Sequence, residues 1–295
     1  VSNNQKIREE ITNQIISALE SDSLPPWRRP WSTDRNAGMP KNVVSGDLYS
    51  GVNPLLLGLA CERHGFQSRY WGTFKQWSEI GGKVMRRPSH MPKGQWGSKI
   101  VFCKPVTKKQ NDHDEPEETY FLLRTYTVFN IDQVEGDHLD YLRVGYSTDT
   151  CNSESNTFDE ADELIEATEA DIRHGGNQAY YDIPGDYIQV PNRDQFAGSA
   201  YYEVLFHEIV HWTEKRLNWD RNNNGYALGE LIAEIGACYI CSELNIPTND
   251  DNHHAYLDGW LKKMKQDSSF IFKASSQASK AADYIMSFKP VEVSC

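Results

Sequence analysis

The sequence predicts an α+β protein of two domains, and three observations carry that expectation. The chain has 295 residues, about twice the ~150 of an ordinary domain. Its charge is unevenly divided: residues 1–110 hold 17 Lys and Arg against 8 Asp and Glu, and the remainder holds 13 against 34, so a segment of +9 precedes one of −21. The hydrophobic patterning also differs, with helices and two long strands in the first part and mainly long helices in the second.

Taken in order, Ile7, Ile11, Ile15, Ile16 and Leu19 recur at helical spacing over residues 4–20, and SDSLPPW ends that helix. Shorter helices are expected at 53–65 and 73–80, the latter stopped by Gly81 and Gly82. The period then changes. KIVFCKPV and YFLLRTYTVFNI are rich in β-branched and aromatic residues and flank the acidic TKKQNDHDEPEET, which predicts two antiparallel strands with a solvated connection. The polar, aperiodic stretch 137–157 reads as a linker. Beyond it come a helix at 158–168, two short strands around the Pro-Gly of QAYYDIPGDYIQVP, and helices at 198–217, 226–244, 252–265 and 274–286.

Composition narrows the class. The chain is 39% hydrophobic and 24% charged, and it has no apolar run near the ~18 residues of a membrane span. The first twenty residues are polar and amphipathic and lack the apolar stretch of a signal peptide. Six cysteines at 61, 103, 151, 238, 241 and 295 form no paired framework, which fits reduced thiols in a cytoplasmic protein. Cys238 and Cys241 make a lone CxxC in the apolar EIGACYIC, where core packing is the expected role.

The basic segment also holds five of the eight tryptophans. Trp27, Trp31, Trp71 and Trp96, with Tyr49, are candidate stacking surfaces for unpaired bases. Arg28, Arg29, Lys75, Lys83, Arg86, Arg87, Lys93 and Lys99 are candidate phosphate contacts. Cations tracking phosphates beside aromatic faces are the combination that holds single-stranded nucleic acid, although tryptophans also build cores.

In VLFHEIVHWTE, His207 and His211 are four residues apart and share one helical face, with Glu208 beside them. That spacing suits two metal ligands and a general base for a hydrolase. Glu230 lies nineteen residues after His211 and Glu234 one turn further, and carboxylates on an otherwise apolar helix are costly to bury without a cation or donors. The pattern resembles a gluzincin, which implies Glu230 as third ligand, Glu234 orienting a ligand histidine, and an open fourth position for catalysis. Zn2+ suits the set, and Mn2+ is also acceptable to it. Tyr180, Tyr181, Tyr226 and His174 are candidate donors to a developing oxyanion.

PPWRRPW, GDLYSGVN, YWGTFKQW, RTYTVFNIDQVEG, ADIRHGGNQAYY, DYIQVP and YYEVLFHEIVHWTEKRL occur in the order found in the plasmid-encoded ArdC antirestriction proteins, which the chain resembles over nearly its whole length. The N-terminal domain of that family is shared with TraC-type plasmid primases. The resemblance implies a single-stranded-DNA-binding domain over 1–136 and a zincin-like metallopeptidase domain over 158–295. It implies protection of incoming conjugative DNA from host restriction, with His207, His211 and Glu230 as metal ligands and Glu208 as catalytic carboxylate. RRPSHMPKGQWGS is longer than the family's usual basic turn. Two readings remain open: a DNA-delivered peptidase acting on a protein such as a restriction component, or a DNA-occluding protein whose metal site is structural or regulatory.

Overall fold

The structure, a computed structural model, describes residues 2–21, 25–28, 34–107, 119–146, 154–219, 225–247 and 254–289. Ser2 starts helix α1 (Asn3–Glu20) by accepting the Gln5 amide at 3.2 Å, and Ile11, Ile15, Ile16 and Leu19 form its buried face. Helix α2 (Asn53–His64) begins with Pro54 in its first turn and ends where Gly65 takes a left-handed φ of 72°. Helix α3 (Phe74–Glu79) is opened by a reciprocal Thr73–Gln76 capping box.

These helices pack on a four-stranded sheet of order β1-β2-β5-β4, formed by β1 (Lys41–Asn42), β2 (Tyr70–Thr73), β4 (Ser98–Thr107) and β5 (Thr119–Asn130). The expected hairpin is β4 and β5, antiparallel from Ser98↔Val128 to Thr107↔Thr119. The connection between them lies outside the described residues. A two-stranded ribbon, β3 (Lys83–Val84) with β6 (Val134–Glu135), was not expected, because two-residue strands leave no alternation to read. The segment read as a linker opens with a 3-10 turn, Asp137–Leu142, whose Leu139 and Leu142 are buried with Trp77, Ile131 and Val134. N-terminal packing therefore continues past residue 136.

In the second half, helix α4 (Glu154–Ala167) precedes a three-stranded sheet of order β7-β9-β8, made of β7 (Asp171–His174), β8 (Tyr180–Asp182) and β9 (Tyr187–Val190). The β8–β9 hairpin matches the sequence pattern. β7, whose DIRH shows no alternation, joins parallel to β9 and leaves β8 at an edge. Among the described residues four helices follow: α5 (Ala200–Arg216), α6 (Tyr226–Glu243), α7 (His254–Gln266) and α8 (Phe270–Met286). Among the described residues no helix is long and apolar enough to cross a membrane. Cys238 and Cys241 are buried in α6, and burial pushes both thiols up.

The largest core cluster runs through both halves, joining Ile15 and Leu55 of α1 and α2 to Phe206 of α5, Ile235 of α6 and Ala274 of α8. Polar contacts cross the same boundary. Arg69 Nη2 meets Glu243 Oε2 at 2.5 Å, Thr12 Oγ1 donates to Ser268 O at 2.8 Å, and the Gly51 amide donates to Ser279 Oγ at 2.9 Å. Residues 25–28 form a strap over α2, where a side chain at Gly58 would run into the Pro26 carbonyl oxygen. Gly58→Ala should therefore invert the usual helix preference. Instead of gaining the roughly 1 kcal/mol that Ala brings to a helix interior, the variant is expected to lose about 1–3 kcal/mol to the clash, read as a lower urea midpoint.

Candidate metal centre and nucleic-acid surface

Helix geometry brings His207, Glu208 and His211 to one side of α5, and α6 lies against that side. Gly236 permits the approach, since a Cβ there would meet Val210 Cγ2 at 2.9 Å. Glu230 then sits across from both imidazoles, with Oε2 3.5 Å from His207 Nε2 and Oε1 3.5 Å from His211 Nε2. One donor atom from each of the three residues lies within 4.8 Å of the others. Burial alone would raise the Glu230 carboxyl, but the two histidines override it and hold the group well below the usual carboxylate range. Two imidazoles and one carboxylate are a donor set that fits a divalent ion with a coordination position to spare.

Glu214, which the sequence reading did not single out, accepts from His211 Nδ1 at 2.8 Å with both side chains buried. A proton held on Nδ1 leaves the Nε2 lone pair pointing at the other donors. This corrects the assignment of that role to Glu234. The Glu234 carboxylate is turned to Arg28 instead, with Oε1 3.3 Å from Nε and 3.2 Å from Nη2. Arg28 Nη1 also reaches Glu203 Oε2 at 3.4 Å, and its side chain is only 4% exposed. The cation thus bridges α5 and α6, contacting each one helical turn from a metal-facing residue.

The cleft above the three donors holds about 380 Å³ and contains Glu208, Ala179, Tyr180, Tyr226 and Tyr256 on its walls. Glu208 is buried there beside His207. Of the candidate oxyanion donors, Tyr180 and Tyr226 face the cleft, whereas the Tyr181 hydroxyl donates to the half-exposed Asp186 at 2.7 Å and His174 Nε2 is 2.8 Å from the Tyr201 hydroxyl. The Tyr226 hydroxyl is 3.4 Å from that of Tyr256, and this contact, burial and the Glu230 charge raise its pKa.

The expected nucleic-acid surface is rearranged. Trp27 and Trp71 are core residues, 3% and 0% exposed, because large apolar rings are worth more buried than stacked on solvent. Trp27 packs edge-on to Trp260, and Arg28 belongs to the cleft. Those three are not stacking or phosphate-contact positions. Arg29 and Trp31 lie outside the described residues. Tyr49 is half-buried with Asn42 donating to its hydroxyl at 3.2 Å. Lys75, Lys83 and Lys99 are exposed but paired, to Glu79 at 3.5 Å, Glu135 at 2.8 Å and Glu10 at 3.3 Å. Arg86, Arg87 and Lys93 are exposed on the loop carrying Trp96, whose half-buried ring borders an open cavity of about 500 Å³ together with His64 and Phe66. The sequence reading also passed over Phe102 and Tyr126, which are exposed on the β4–β5 ribbon.

Comparison with known proteins now defines the class. A family model described as a zincin-like metallopeptidase matches residues 159–277, and one described as the N-terminal domain of anti-restriction factor ArdC matches residues 5–129. The α+β architecture is that of the antirestriction protein ArdC from plasmid R388. Its metal-free crystal structure shares 34% identity and a TM-score of 0.75 over 96% of this chain and 97% of that one. Its Mn(II)-bound structure gives 33% and 0.70 over 97% and 98%. This chain belongs to the ArdC antirestriction family. The uncharacterized protein y4eC of Sinorhizobium fredii is 34% identical over 95% of this chain and 91% of its own length. DNA primase TraC of Escherichia coli is 28% identical over 97% of this chain, so both halves are matched, but that span is 20% of the primase.

Two substitutions probe the centre. Arg28→Met should destabilise the protein by about 3–5 kcal/mol, because it removes the guanidinium that two partly buried carboxylates share, and chemical denaturation reads this directly. Glu214→Gln should fold normally yet weaken divalent-metal affinity about 10- to 100-fold, measured by calorimetric titration of the metal-stripped protein.

Proposed function

We propose that this protein guards incoming plasmid DNA against host restriction by pairing a single-stranded-DNA-binding domain, residues 1–136, with a metal-dependent peptidase domain, residues 158–295. The observation that carries the peptidase reading is the convergence of His207, His211 and Glu230 in an open cleft with Glu208 beside them. The Mn(II)-bound R388 relative supports a divalent ion at these three residues, with Zn2+ and Mn2+ both suited to the donors. Bound there, the ion would supply Lewis acidity toward a carbonyl and a water.

The chain's own residues do the rest. Glu208 takes a proton from the attacking water as general base and returns it to the leaving amine. Glu214 holds the proton on His211 Nδ1 and keeps the ring fixed. Tyr226 or Tyr180 offers a hydroxyl hydrogen bond to the developing oxyanion. β8, at the edge of its sheet and bordering the cleft through Tyr180, offers backbone groups to an extended peptide. The positive balance of residues 1–110 against the acidic remainder supports DNA held by the first half and a protein substrate, such as a restriction-system component, presented to the second.

Glu208→Ala separates the peptidase reading from simple occlusion of DNA. The variant is expected to keep full metal content and single-strand binding while protection of conjugating DNA from restriction drops at least about ten-fold, a conservative floor beneath the roughly 100- to 10,000-fold that a general base contributes to the chemical step. Undiminished protection by a metal-loaded Glu208→Ala would leave DNA occlusion as the function and remove the peptidase step.

A further inference from the structure

The β4–β5 register places Phe102 directly opposite Arg124, with Lys104 facing Leu122 and Tyr126 facing Ile100. Residues two apart on a strand, and their cross-strand partners, share one face of the ribbon. Phe102, Lys104, Arg124 and Tyr126 therefore form a single patch. The two rings meet edge to face at 6.4 Å and are 57% and 45% exposed. Toward the core the same face is closed by Ile100 and Val128 packing on α2, so the exposed rings sit on a rigid base.

Two features define this patch. The two rings are exposed as a contacting pair beside cations and not as scattered single residues. In addition, Lys104 and Arg124 are exposed and make no ion pair among the described residues, in contrast to Lys75, Lys83 and Lys99, each held by a carboxylate. None of the four positions is acidic, and Glu10, which lines a cavity with Arg124 and Tyr126, is paired to Lys99 at 3.3 Å.

We propose that this ribbon face is a stacking platform for single-stranded DNA, with Phe102 and Tyr126 taking unpaired bases and Lys104 and Arg124 taking the flanking phosphates. The proposal rests on the single-stranded-DNA reading above and gives it an address. The two ring centroids, one on each strand, are 6.4 Å apart, which suits consecutive bases of an extended strand. Duplex DNA, whose bases are already stacked on one another, offers the rings nothing comparable.

The test uses the full chain and fluorescence anisotropy with a labelled twenty-nucleotide oligothymidylate and a strand of equal length carrying abasic sites throughout. Wild type should bind the thymidylate at least about ten-fold more tightly than the abasic strand, the scale of stacking one or two bases. Phe102→Ser/Tyr126→Ser changes only exposed rings. It should bind both strands equally, with unchanged thermal melting and an unchanged salt slope. Lys104→Ser/Arg124→Ser should keep the preference for bases but reduce the log–log salt slope by about 1.4, two phosphate contacts' worth. If the ring variant still prefers the thymidylate ten-fold, bases are read elsewhere, with the cavity beside Trp96 the next place, and the platform is overturned. If wild type binds neither strand, the single-stranded-DNA reading itself fails.

Discussion

The bridge from Arg28 to Glu203 and Glu234 is the contact on which the metal cleft depends. Glu203 precedes His207 by one helical turn and Glu234 follows Glu230 by one, so each helix carries a carboxylate beside its metal-facing residue. Two such groups at the closely packed α5–α6 crossing repel one another at short range and low dielectric. A single guanidinium, with donors spread across a planar fork, can satisfy both at once. The spacing that lets Glu230 face two imidazoles is thus set partly by a cation outside the second half.

That dependence explains why the centre was only partly legible beforehand. His207, Glu208 and His211 could be read because helical periodicity alone fixes their relative positions. Glu230 could be suspected because an acid in an apolar helix needs a partner. Glu214 could not, since HWTE looks like the ordinary charged end of a helix until the His211 ring is seen to be buried against it. The cation that meets Glu234 is 206 residues away in sequence, and no local pattern announces a contact at that range.

The tryptophans taught a similar lesson from the other direction. Their area and their cation-rich neighbourhood suit either a core or a stacking surface, and composition does not choose between them. Tertiary packing buries Trp27, Trp71 and Trp77, while the smaller rings of Phe102 and Tyr126 stay outside. The β period of each strand was readable, but the register that puts those rings beside Lys104 and Arg124 depends on an acidic connection whose length fixes no turn type. In the same way, the helices and long strands were visible in the sequence, while β7 and the two-residue strands existed only once neighbours supplied hydrogen bonds.

The strap bearing Trp27 and Arg28 has a consequence for inheritance. A gene fusion that moved the second half alone would carry Glu203 and Glu234 without their cation and would open the hole that Trp27 fills against Trp260. One that moved the first half alone would leave a guanidinium and an indole searching for cover. Recombination should therefore tolerate cuts outside this pair of halves far better than cuts between them. The span shared with TraC, nearly all of this chain set within a much longer primase, has the outline of a cassette that travels whole.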